Sequence, residues 1–201
     1  VDEPGPEDYY GYGQYEAALK KSRFRSETDL PFMSFADVRA ALLDLLQHTG
    51  FPEMEISETY TLDLATIEEQ YDRFLEESAV LYPEREVSDY TWSETDTGYL
   101  FLMRQLIDQI PVLDQGWQGQ GASTSPAGDP MPVSRTQVYW TRDGLASIRA
   151  YSLYELLESG PEEPLIGPAQ ALQVLLADLS QIIITRPTWL ASVELCYVSV
   201  P

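Results

Sequence analysis

One cysteine, Cys196, and one histidine, His48, stand in a chain of 201 residues. A single cysteine cannot close an internal disulfide. One of each cannot assemble a Cys/His zinc centre. Basic residues are also scarce, with 12 Lys and Arg against 33 Asp and Glu, a formal charge of −21. A field of that sign repels nucleic acid and anionic lipid headgroups, so neither is an expected partner. No run reaches the ~18 apolar residues that a spanning helix needs, so direct membrane insertion of this segment is not expected. No signal peptide is present. The start at Val1-Asp2-Glu3-Pro4 reads as a processed or cut terminus, with any targeting segment upstream of it. The Gly-rich stretch Gly116-Trp117-Gln118-Gly119-Gln120-Gly121 lacks lysine and opens no helix, so it is not a phosphate loop.

What the chain does have is a core. Hydrophobic residues make up 44%, and the aromatics number 13 Tyr, 6 Phe and 4 Trp. An acidic tail without structure lacks such residues. The length suits one large domain or two small lobes. The reading divides the chain into an acidic Tyr/Gly/Pro arm over residues 1–30, a helix–strand–helix lobe over 31–98 and an α+β lobe over 99–201.

Local patterns give the elements. Ser34 caps a helix from Phe35 to His48, with Asp37 in the capping-box position. Phe35, Val38, Leu42, Leu45 and Leu46 form its apolar stripe, and Gly50 supplies the stop. An alternating strand follows Pro52. Met54, Ile56, Tyr60, Leu62 and Leu64 share one face, and Glu53, Glu55, Ser57, Thr59 and Thr61 the other, with Glu58 as an inward exception. Thr66 with Glu69 reads as a second capping box, opening a helix with Ile67, Tyr71, Phe74 and Leu75 inward and Pro83 at its end. Residues 84–98 read as a loop or edge strand.

Residues 99–107 form a dense apolar run, and Tyr99 beside Phe101 tips it toward strand. The Asp143-Gly144 pair between two apolar runs marks a hairpin. A helix over residues 169–183 would bury Ala171, Leu172, Leu175, Leu176 and Leu179, and a last strand would occupy residues 190–200. The predicted fold class is α+β, antiparallel sheets with packed helices, with two helix–strand units that hint at a duplication.

The second half has a recognisable order. Tyr99-x-Phe101 leads to Gln105 and then to Ile107-Asp108-x-Ile110-Pro111-Val112. The Arg142-Asp143-Gly144-Leu145 hairpin follows. Then come Gly167-Pro168-Ala169-Gln170-Ala171-Leu172 and a terminal Leu195-x-Tyr197-Val198. This order resembles PepSY-like domains and the extracytoplasmic YycH/YycI group of regulators, and is similar to lipoproteins of clostridia-type Firmicutes that carry such a domain. Gln109 stands where that pattern has glycine, and a closing strand with a Pro-Ala-Trp-like ending is absent after Pro201. The resemblance implies an extracytoplasmic domain anchored through a lipid-acceptor segment, with a binding or regulatory role. It carries over no catalytic residue and no cofactor.

The candidate chemistry is thin. His48 in the last turn of its helix suits an interaction with the helix C-terminus. Cys196 has no basic neighbour to activate it and reads as a buried, inert thiol. Acid pairs such as Glu53/Glu55, Glu84/Glu86 and Asp89/Asp96 permit a hydrolase without indicating one. Asp89, Glu94 and Asp96 permit a calcium site but lack EF-hand spacing. No catalytic, cofactor-binding or metal residue is assigned. Three aromatics, Trp117, Tyr99 and Trp140, are candidates for contact with a ligand or partner. The expected function is a non-catalytic, monomeric interaction module for an envelope or secreted protein. The alternative is a carbohydrate or small-ligand binder using Trp117.

Overall fold

The computed structural model describes residues 28–81, 91–113, 136–150, 152–158, 160, 164–181 and 194–197. Helix α1 spans Phe35–His48 and strand β1 Met54–Leu62. Helix α2 spans Leu64–Leu81 and strand β2 Gly98–Ile107. Then come β3, Ile110–Pro111, and the hairpin of β4, Thr136–Thr141, with β5, Gly144–Ala150. Helix α3 covers Pro168–Leu179. The α+β class stands, with an antiparallel sheet ordered β1-β2-β4-β5 and β3 paired to β2.

The chain divides into two compact units, Val1–Tyr154 with Tyr197–Pro201, and Glu155–Cys196. A boundary between residues 98 and 99 is therefore not the one the structure draws. β1 lies before it and β2 after it, and the two pair along their length. The arm expected over residues 1–30 lies outside the described residues up to residue 27.

Strand β2 explains the first unit. Its side chains alternate between two cores on opposite faces. Tyr99, Phe101 and Met103 join Val38, Leu42 and Leu46 of α1. Leu100 and Leu102 join Ile67 and Tyr71 of α2, with Tyr139 and Trp92. The sheet is thus covered by one helix on each face. A strand buried on both sides loses the alternating pattern and reads as a continuous apolar run, which is what residues 99–103 show.

The α1 cap forms as predicted: the Asp37 N–H donates to Ser34 Oγ at 3.2 Å, and Ser34 Oγ donates to Asp37 Oδ2 at 2.6 Å. Gly50 takes the left-handed φ of 72° that ends the helix. Helix α2 departs from expectation. Asp63 caps it, accepting the Thr66 N–H at 2.8 Å, so Thr66 lies in the first turn and Leu64 belongs to the helix. Pro83 lies outside the described residues.

β1 also departs from a single alternation. The register slips between Ile56 and Glu58. This bulge at Ser57 turns the strand over. Met54 and Ile56 pack in the α1 core, whereas Tyr60 and Leu62 pack in the α2 core. Thr59 and Thr61, expected outside, are buried. The Thr61 hydroxyl donates to the Thr28 carbonyl at 2.8 Å and accepts the Thr28 N–H at 3.1 Å, so its burial is satisfied.

Two tight approaches fix the far strands. A Cβ on Gly98 would lie 2.4 Å from the Trp140 carbonyl oxygen, so only glycine fits the start of β2. The β2–β3 turn places Asp108 and Gln109 at φ 50° and 65°. Both positive angles mark a two-residue hairpin turn that favours glycine or asparagine. Val112 continues from β3 and bridges Tyr197 in parallel, part of the strand expected over residues 190–200, the rest of which is described only at residues 194–196. Gln105, buried in β2, grips the Tyr154 backbone at both groups, donating to its carbonyl at 2.6 Å and accepting its N–H at 2.8 Å.

In the second unit, α3 opens with Pro168 at its first position after Gly167. It was expected to bury one apolar side, but none of its residues is buried.

Candidate interaction edge

The site follows from the width of the layers. A helix with its side chains is ~10–12 Å across, and strands lie ~4.8 Å apart. One helix per face covers two or three strands, so among the described residues an outer strand of a four-strand path lies past both helices. That strand is β5, which closes the order β1-β2-β4-β5.

β5 does not carry the polar surface such a position permits. Leu145 and Ile148 are 38% and 37% exposed. They sit three residues apart, which in an unbroken strand puts them on opposite faces. The register slip beside Ala146 brings them to the same one. Leu145 pairs with Trp140, and Ile148 pairs with Val138. Trp140 and Val138 belong to the α1 side of the sheet. Trp140, Leu145 and Ile148 therefore form an apolar strip that continues the α1 core out to the sheet margin.

The turn that presents the strip is built by Arg142 and Asp143, followed by Gly144 at φ 103°. The hairpin that the Asp-Gly pair signalled is there, but the turn is one residue earlier than an Asp-Gly turn, with the left-handed Gly144 as the first residue of β5. The hairpin carries Arg142 and Arg149 against Asp143, in a chain of charge −21.

The three aromatics proposed from sequence fare differently. Trp140 is half-buried at the foot of the strip. Tyr99 is 0% exposed and leaves no surface for a contact. Its hydroxyl accepts the Leu30 N–H at 2.6 Å and donates to the Met33 carbonyl at 2.8 Å. Burial raises its pKa above 10.0; the Leu30 N–H bond partly offsets that, and the Asp29 carboxylate adds to it. Trp117 lies outside the described residues. Trp92, not singled out from the sequence, is a core residue that meets Tyr71 edge-on at 5.4 Å.

The remaining candidates have structural partners. His48 Nδ1 lies 2.8 Å from the Asp44 carbonyl in the last turn of α1, as a cap of that turn requires. Glu55 is bonded by Arg104, and Glu53 accepts the Gln109 amide at 2.7 Å. The Asp96 carboxylate receives the Ser93 N–H and hydroxyl, both at 2.8 Å, which closes a local turn. Asp89, Glu84 and Glu86 lie outside the described residues. Among the described residues no cluster of His, Cys, Asp and Glu is placed to hold a metal. Cys196 is half-buried, rather than buried as expected. No helix among the described residues is long and apolar enough to cross a membrane. Comparison with protein-family models, curated proteins and solved structures finds no match to this chain.

Proposed function

We propose that the chain is a non-catalytic protein-interaction module that works outside the cytoplasm, on a protein held to the membrane by a lipid-acceptor segment. Its partner is an envelope or secreted protein. The partner adds an extended segment along β5, and alternate side chains of that segment pack on Trp140, Leu145 and Ile148. The carrying observation is the strip itself: large apolar residues at the sheet margin, where a protected edge carries charge or proline. Strand addition draws affinity from backbone hydrogen bonds and specificity from alternate side-chain positions, and this edge offers the second directly. The extracytoplasmic and lipid-anchored parts of the reading rest on the resemblance to PepSY-like and YycH/YycI-like domains.

The test is an affinity capture from detergent-solubilised envelope of the source organism, read by mass spectrometry. The immobilised chain is compared with Ile148→Lys and Leu145→Lys. Both side chains are already more than a third exposed, so the variants keep the fold. The expected result is one protein retained by the parent chain and lost from both variants. Equal retention by all three removes the β5 edge from the function.

A further inference from the structure

The reversal from α1 into β1 builds a second feature. It walls a pocket of about 420 Å³ on the first unit. Leu43 and Leu46 of α1, with Phe51, Pro52 and Met54, form its apolar walls, and Gln47 and Glu53 supply its polar groups. The left-handed Gly50 makes the reversal, and the Phe51 N–H bond to the Leu46 carbonyl, 3.1 Å, fixes it. Leu46 and Met54 are buried in the α1 core, so the floor is rigid, while Leu43 and Phe51 stay half-buried.

The chemistry of the lining selects an occupant. Among the described residues, Glu53 is its one ionisable group. The Gln109 amide uses a single acceptor position of that carboxylate, which has about four. The surrounding chain carries −21, so an approaching cation is drawn in and an anion is repelled. The volume falls in the range of pockets that bind organic groups. A free small molecule is oriented by a small number of precisely placed polar groups. Among the described residues this pocket has two, both on one continuous stretch of chain, residues 43–54. A side chain delivered on a partner's backbone arrives already oriented.

We infer that this pocket seats one aromatic or aliphatic side chain of a cationic protein segment, with a lysine or arginine of that segment on Glu53. The inference shares with the proposed function the idea of an interaction module, but it uses a different surface from the β5 edge.

The experiment uses the ¹⁵N-labelled full chain and a capped synthetic peptide in which one phenylalanine is flanked by lysines in a Gly/Ser background. Two control peptides replace the phenylalanine by alanine or the lysines by glutamates. The expected result is a saturable set of amide shifts confined to residues 43–54, with both controls weaker by roughly tenfold or more. Glu53→Lys reverses the preference between the lysine and glutamate peptides. Leu43→Trp fills the pocket and abolishes binding, while its unfolding midpoint shows that the fold survives. If Leu43→Trp unfolds the chain, Leu43→Met with a graded loss serves instead. Shifts spread over the acidic face of α2, or unchanged by these variants, overturn the inference in favour of general charge attraction. Equal binding by phenethylammonium alone overturns it in favour of a small-molecule site, and no shift at saturating peptide overturns it outright. Because Ile148→Lys leaves the pocket intact, its result and the pocket result fail separately.

Discussion

Removing one oxygen from Tyr99 tests how the segment before α1 is tied to the sheet. The ring sits at the centre of the α1 core, 5.8 Å from Phe32 and 6.0 Å from Phe35, centroid to centroid. Tyr99→Phe keeps those contacts and deletes both hydroxyl hydrogen bonds. The two losses are unequal. Met33 is exposed, so water can replace the donor to its carbonyl. Leu30 is buried, so its N–H is left without a partner in a region water does not reach. An orphaned buried donor costs about 1–3 kcal/mol, and the carbonyl adds little. The expected loss is about 2 kcal/mol in urea unfolding, with the slope against denaturant unchanged because the surface exposed on unfolding is the same.

The pH dependence adds an independent check. The folded-state pKa of Tyr99 is raised, mainly by burial. Below the unfolded value, near 10, both states keep the proton and the contribution is constant. Above it the unfolded chain ionises first, so the contribution falls as pH rises toward the folded value. The gap between parent and Tyr99→Phe should therefore narrow above pH ~10 and stay level between neutral pH and about 9. A loss below about 0.5 kcal/mol at neutral pH, or a gap that widens in alkali, refutes the buried, doubly bonded hydroxyl.

Two further changes probe the backbone. Gly98→Ala forces a Cβ against the Trp140 carbonyl, so β2 and β4 must separate where β2 begins and β4 ends. A loss of about 3 kcal/mol, with faster amide exchange at residues 139–141, is expected. Gln109→Gly should raise stability by roughly 0.5–1 kcal/mol, since a non-glycine residue at left-handed φ costs about 1–2 kcal/mol and the lost bond to Glu53 is solvent-exposed. A fall in the thermal midpoint of that variant means the turn is not strained.

Gln109 also shows how sequence and structure inform each other. On the expected resemblance alone, glycine would stand at this position. Its φ of 65° gives a physical reason for glycine there. The bounds, cap and stop of helix α1 were legible because they lie within seventeen consecutive residues and act locally, but in the stripe Leu43 rather than the expected Leu45 packs on the α1 core. Asp63 was overlooked as the α2 cap for a different reason. Leu62 and Leu64 extend the strand alternation past it, and period two and period 3.6 agree over so short a span. The buried threonines of β1 were misplaced by a single residue. A bulge at Ser57 has no local signature in Ile56-Ser57-Glu58, yet it reverses the facing of everything after it.

The same reversal governs the candidate site. Leu145 and Ile148 have the wrong spacing for one face of a regular strand, so the sequence offered no strip. It offered only Trp140 as an aromatic of interest. The strip exists because two non-local facts coincide: a bulge beside Ala146 and the last place in the order of the described strands. β2 and β5 make the contrast plain. Both were recognisable as strands, but β2 lies between two helices and is apolar on both sides, whereas β5 lies beyond their reach. An apolar residue in β2 is explained by the fold alone. Leu145 and Ile148 are not, because the fold would stand with polar residues in their place and the margin would then be protected from pairing. Residues that the fold does not require, at a place where they carry a risk of association, are the ones a partner would account for.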